Sequence, residues 1–199
     1  MKIAILIKPT YLINQKIINI KKNFKNNFLK CLYIDDFPHI TLLTINTNIN
    51  TRLLKKIEIP INLQKIKISI GNPGIFPNDK LTNGKTYYFK IKKNINLFKL
   101  QLIISKYFKP YINKTKKGNI FPKNSNESKS FKMYGFPYVG THWIPHITIC
   151  SVLDKVISNK SEVLFLKKKI NLNFLANEIL ICKISSRNLK ILKKIKFIN

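Results

Sequence analysis

The tetrapeptide Pro-His-Ile-Thr occurs twice in this chain, at 38–41 and again at 145–148. The flanks match in kind as well: Phe37 and Ile144 precede the two copies, and Leu42-Leu43 and Ile149-Cys150 follow them. The chain has only three histidines in 199 residues. Chance repetition of a histidine-bearing tetrapeptide is therefore remote, and a repeat so widely spaced marks a repeated structural unit. Each copy is rich in β-branched residues and reads as a strand. On a strand, residues i and i+2 share a face. Each copy thus presents an imidazole beside a hydroxyl, His39 with Thr41 and His146 with Thr148, while Ile40, Leu42, Ile147 and Ile149 turn toward a core. The spacing suits two pseudo-symmetric lobes that each bring one such strand to a shared groove.

The rest of the chain supplies elements of both kinds. Strands are expected at 3–7, 66–70, 86–91, 178–184 and 189–198, besides those carrying the repeat. Gly71-Asn72-Pro73-Gly74 is expected to end the strand at 66–70, and Asn83-Gly84 to introduce the one after it. Helices are expected at 15–29, 51–56 and 94–108, with a weaker one at 161–168. Residues 113–130, poor in apolar side chains, read as a flexible surface loop. Strands and helices mix without a regular βαβ rhythm, so the class is α+β, with 1–199 as one two-lobed domain.

Charge is lopsided, with 37 Lys+Arg against 8 Asp+Glu and a formal net charge of +29; every basic residue except Arg52 and Arg187 is Lys. A polyanionic partner would account for this. So would drift toward A/T-rich codons, which also inflates Ile and Asn, and phosphate-gripping proteins favour the planar fork of Arg. The scarcity of acids is more restrictive. Only Asp35 and Asp36 are close in sequence, and two-metal nucleases, Ca²⁺ loops and carboxylate-pair glycosidases all need clusters of them. Cys31, Cys150 and Cys182 form no CxxC pair and read as reduced, buried thiols. The apolar run at 3–7 is too short for a signal peptide or a membrane span, so the expectation is a cytoplasmic protein with no membrane partner.

Two imidazoles and two hydroxyls, without acids, suit in-line displacement at a phosphodiester. That reaction needs a base on the attacking oxygen and an acid on the leaving oxygen. Imidazole serves in either role near neutrality, and threonine hydroxyls can donate to the non-bridging oxygens. Among other candidates, His142 and Trp143 could line the groove or pack. Tyr134, Phe136 and Tyr138 could stack a base or belong to the core. His142 and His146 have the i, i+4 spacing of zinc ligands on a helix, but Pro145 lies between them on a strand-like segment, so no metal site is expected.

The paired His-x-Thr strands resemble those of the two-histidine (2H) phosphoesterase superfamily, which includes the bacterial RNA 2′,3′-cyclic phosphodiesterases once called 2′-5′ RNA ligases. The resemblance implies a bilobal, pseudo-two-fold fold with two antiparallel sheets flanking a central groove and helices outside. It implies His39 and His146 as the acid–base pair and Thr41 and Thr148 as phosphate ligands; Tyr138, His142 and Trp143 stand beside them as candidate substrate contacts on the reading of the residues alone. No metal or cofactor is implied, and the substrate would be a nucleotide or an RNA end handled by a monomer. With Arg scarce, Lys90, Lys92 or a Lys of 114–117 would stand near the phosphate. The stretch 134–139 is also similar to a bacterial branch found near phosphonate-metabolism genes. Two alternatives stay open: a non-catalytic basic RNA-binding protein on the same fold, and a phosphodiesterase of a small non-RNA cyclic phosphate or cyclic dinucleotide.

Overall fold

The computed structural model describes the chain except for residues 26–30, 60–63, 80, 114–121, 123, 154–158, 169, 186–187 and 199. Its strands are β1 (Lys2–Ile7), β2 (Cys31–Leu32), β3 (Ile40–Asn46), β4 (Ile66–Asp79), β5 (Gly84–Ile91), β6 (His146–Val152), β7 (Leu172–Ala176), β8 (Glu178–Ser185) and β9 (Asn188–Lys196). Its helices are α1 (Tyr11–Lys25), α2 (Thr51–Lys56), α3 (Ile95–Phe108), α4 (Ser125–Tyr134) and α5 (Asn159–Leu166). The class is α+β, as expected.

The described strands form one sheet in the order β7-β4-β5-β6-β3-β1-β8-β9, with β2 paired to β6. Every pairing between these strands is antiparallel. The order is two half-sheets read outward from the centre, β3-β1-β8-β9 on one side and β6-β5-β4-β7 on the other. They are joined by a single residue pair, Ile40↔Ile147. These are the middle residues of the two repeated tripeptides, so the pseudo-dyad runs through the repeat itself.

Both halves also carry the same irregularity. The β1–β3 register slips after Ile5↔Leu43 to Leu6↔Thr41, leaving Leu42 extra. The β5–β6 register slips after Tyr87↔Cys150 to Tyr88↔Thr148, leaving Ile149 extra. A bulge lets two successive side chains reach the core, and Leu42, Leu43, Ile149 and Cys150 are all fully buried.

Helix α1, which connects β1 to the first repeat, packs on β6 and β7; α3, which precedes the second repeat, packs on β3. Each helix thus crosses to the opposite half-sheet. The main core lies between sheet and helices, centred on Ile5, Ile40, Tyr87, Phe89, Phe108 and Ile147. Ala4, Leu6, Leu180 and Cys182, with Phe37 packed beside them, form a second, smaller cluster.

Three expectations need correction. The strand from Ile66 continues through Gly71–Gly74 as β4. Beyond Ile70 it pairs only with β5, with a register shift at Pro73, and an edge segment with a bulge accommodates prolines that lack an N–H. Part of 113–130, expected as a loop, is helix α4. The Asn124 side chain caps it by accepting from the Glu127 N–H at 2.9 Å, and Gly135, at φ 62°, closes it in the left-handed region. The stretch 114–121 lies outside the described residues. Finally, α1 begins at Tyr11, before the apolar periodicity sets in, with the Asn14 N–H bonded to the Thr10 carbonyl; residues 26–29 of the expected helix are outside the described residues. Strands β2 and β7 had no counterpart in the sequence reading. No helix among the described residues is long and apolar enough to cross a membrane.

Candidate active site

The Ile40↔Ile147 pair fixes the centre of the site. Both isoleucines are fully buried on the core face, so the residues flanking them point the other way. In an antiparallel register, His39 then stands across from Thr148, and Thr41 across from His146. All four are half-buried on one face of the sheet, where the two halves meet. Sequence reasoning brought these four together, and the topology does the same.

The imidazoles are anchored alike. His39 Nδ1 lies 2.8 Å from the Phe37 carbonyl, and His146 Nδ1 lies 2.7 Å from the Ile144 carbonyl. A carbonyl only accepts, so each Nδ1 carries the proton and each Nε2 is left to exchange one. Burial holds His39 well below an ordinary imidazole, at about 4; the Phe37 carbonyl opposes this, and Lys21 and His146 add to it. Burial lowers His146 too, opposed by the Ile144 carbonyl and by Asp79. Each histidine also rests against aromatic edges. Phe37 packs on His39 at 5.4 Å. Tyr88 and Phe76 pack on His146 at 5.1 and 5.2 Å, and are themselves stacked at 4.2 Å.

Phe76 and Tyr88 were missed in the sequence. They meet because Gly74↔Tyr88 and Phe76↔Thr86 are partners in the β4–β5 hairpin, and the available signal was the turn at Asn83-Gly84 from which that register runs. The ring of Tyr88 covers Gly74, whose absent side chain makes the room.

The other expected residues are placed differently. Trp143 is only 5% exposed and packs its ring against Phe98 at 5.2 Å, within the core. His142 Nε2 lies 2.8 Å from the Ser130 hydroxyl of α4. The Tyr138 carbonyl accepts from Gln101 at 2.7 Å, and its ring meets Phe136 at 5.5 Å. These three residues join the segment 136–143 to α3 and α4 and pack it there. Lys90 is exposed and is the register partner of His146; 114–117 lie outside the described residues. Cys31 is half-buried, Cys150 and Cys182 are buried, and all three are free thiols. Among the described residues no three His, Cys, Asp or Glu side chains cluster in a way that could hold a metal ion.

The α+β fold, which here carries a His-x-Thr strand on each side of the sheet's centre, is shared over its full length with solved structures of low sequence identity. TT0787 of Thermus thermophilus aligns over 99% of this chain and 98% of its own, with a TM-score of 0.67 at 11% identity. A protein described as a phosphoesterase aligns over 100% and 98%, with a TM-score of 0.60 at 12% identity. E. coli LigT in complex with NADP+ aligns over 98% and 97%, with a TM-score of 0.58 at 12% identity. No family model and no curated protein sequence matches the chain.

Proposed function

We propose that this protein is a metal-independent phosphodiesterase that hydrolyses a 2′,3′-cyclic or 2′-5′ phosphodiester of a nucleotide or RNA end, with His39 and His146 as acid and base. The observation that carries the reading is the arrangement of two Nδ1-anchored imidazoles and two threonine hydroxyls around the Ile40–Ile147 pair. One neutral Nε2 takes the proton of an attacking water as its oxygen bonds to phosphorus. The other imidazolium delivers a proton to the ribose oxygen as the P–O bond breaks. Thr41 and Thr148 donate to the non-bridging oxygens, where charge builds in the transition state. Both imidazoles are hard to protonate in the free protein, and the anionic phosphate itself supplies the charge that stabilises one of them as imidazolium.

A nucleotide suits the aromatic wall at His146, since Phe76 and Tyr88 offer a planar apolar surface beside the phosphate position. E. coli LigT, similar in fold, has been crystallised with 3′-AMP and with ATP. The +29 charge favours any such anion.

The test is turnover of 2′,3′-cyclic nucleotides, 2′-5′ dinucleotides and cyclic-phosphate-ended RNA by purified protein and by its His39→Ala and His146→Ala variants. Each variant should lose at least about 10²-fold in kcat while binding substrate within a few-fold of the parent. Wild-type turnover by both variants, or no turnover by the parent alongside tight RNA binding, would replace the enzyme with a basic RNA-binding protein.

A further inference from the structure

Lys21, on α1, is 3% exposed yet makes no side-chain ion pair closer than 4 Å among the described residues. Its ammonium donates instead to two main-chain carbonyls, Tyr33 at 2.7 Å and Asp36 at 2.7 Å. Both belong to the segment between β2 and the first histidine, and the carbonyl of the next residue, Phe37, is the one that holds His39 Nδ1. We infer that Lys21 is a positioning residue for His39, tying the backbone that orients this imidazole to α1 and placing its ammonium on the segment that leads into His39. The inference rests on the reading of His39 as catalytic, but its first test needs no turnover.

Three observations indicate why the segment needs such a tie. Tyr33 has φ 63°, a left-handed conformation that costs a non-glycine residue energy and persists only where its surroundings enforce it. An open pocket of about 220 Å³ lies between α1 and the segment, lined among others by Lys21, Lys22, Ile34, Asp36 and Phe37, so the two are not closely packed along that side. The other link from α1, Lys25 to Asp35 at 2.9 Å, is between side chains 58% and 79% exposed, and exposed pairs contribute little.

The charge has a consequence for the chemistry. Lys21 faces Asp35 and Asp36 from the segment and Cys150 from β6, with Lys22 and Lys25 on its own helix. His39 faces Lys21 from α1 and His146 from β6, while Lys8, after β1, sits over the Phe37 ring at 5.5 Å. His146 faces Asp79 of β4, a carboxylate. Burial is the main reason His39 resists a proton and Lys21 adds to it, whereas Asp79 opposes the effect of burial at His146, so charges of opposite sign face an otherwise symmetric pair. Burial brings Lys21 itself down to about 8, so its charge is lost within an accessible pH range.

With only three histidines in the chain, their Hε1 NMR signals can be followed singly through a pH titration and assigned with His39→Ala and His146→Ala. In Lys21→Gln and Lys21→Met the His39 midpoint should rise by roughly half to one pH unit, the scale of one partly screened charge. The His146 midpoint should move far less, and Lys21→Arg should keep the parent value. Unchanged His39 midpoints in folded neutral variants would overturn the inference. The parent protein gives a second reading that no folding defect can confound. Its His39 signal should show a smaller inflection near pH 8 as Lys21 loses its proton, and a flat trace there would likewise overturn it. On any substrate that the parent cleaves, the neutral variants should lower kcat at least tenfold with KM within a few-fold and shift the limb belonging to His39. Absence of turnover in the parent would bear only on the enzyme reading, since both titrations stand without it.

Discussion

Gly74→Ala places one methyl group where the ring of Tyr88 already lies. A Cβ there would stand 2.6 Å from Tyr88 Cζ, 2.7 Å from its hydroxyl and 2.9 Å from Cε2. Gly74 is not among the positive-φ residues, so the backbone tolerates alanine and only the ring obstructs it. To make room, Tyr88 must leave its stack on Phe76 and its edge contact with His146. Each aromatic pair is worth about 0.5–1.5 kcal/mol. Against this, alanine gains about 0.4–1 kcal/mol by restricting the unfolded chain. The expected net cost is about 1–2 kcal/mol. Urea unfolding of the parent, Gly74→Ala, Tyr88→Ala and the double variant measures it as a cycle. With the ring gone, Gly74→Ala should be neutral or stabilising, so nearly the whole cost appears as coupling. An equal loss in the Tyr88→Ala background would refute the argument and put the obstacle in the backbone.

The low proton affinity of His39 predicts an acid-sensitive fold. Between about 4 and the ordinary imidazole value of 6.5, the unfolded chain binds a proton that the folded chain does not. Stability is therefore full above pH 6.5 and falls by about 2–3 kcal/mol as pH drops toward 4. Unfolding curves of His39→Gln should lack that part of the slope. Thr41→Val and Thr148→Val should each lower kcat by an amount equivalent to about 2–4 kcal/mol, read in steady-state assays, while the free energy of urea unfolding changes by no more than about 1 kcal/mol. Activity should survive EDTA; loss restored by one added metal would promote His142 and His146 from packing and proton transfer to ligands. A bell-shaped pH profile should lose one limb in each histidine variant, its midpoints belonging to the pair rather than to either residue.

The four central residues were legible because a repeated motif carries information that a single histidine does not. Their faces followed from strand periodicity alone. The bulges were visible in retrospect: Leu42-Leu43 and Ile149-Cys150 each break the alternation with a second apolar residue, and both pairs are buried. Helix α4 was hidden because few of its residues are apolar, although Asn124, Glu127 and Gly135 stood at capping positions. The Ile40–Ile147 junction had no local signature, since contacts between distant strands are set by the whole sheet. For the same reason the sequence left Trp143 and Tyr138 open between groove and core; the contacts of 136–143 with α3 and α4 show where they pack. Lys21 gave no sign of itself among so many lysines, because what distinguishes it is burial, which composition does not reveal.

The half-sheets are unequal in how the chain supplies them. One, β6-β5-β4-β7, is made from a continuous stretch between Ile66 and Ala176; the other needs β1 and β3 from the beginning and β8 and β9 from beyond Glu178. During synthesis the half bearing His146 can therefore close on itself while β1 still shows a bare edge awaiting β8. The half-sheet that carries His39 is complete only when the last strands have been delivered, so a chain cut short before Glu178 carries both histidines on an unfinished sheet. That waiting edge, rich in isoleucine, is where a growing chain is most open to mispairing with its neighbours, and the lysines of β9 close it with a charged border once it arrives.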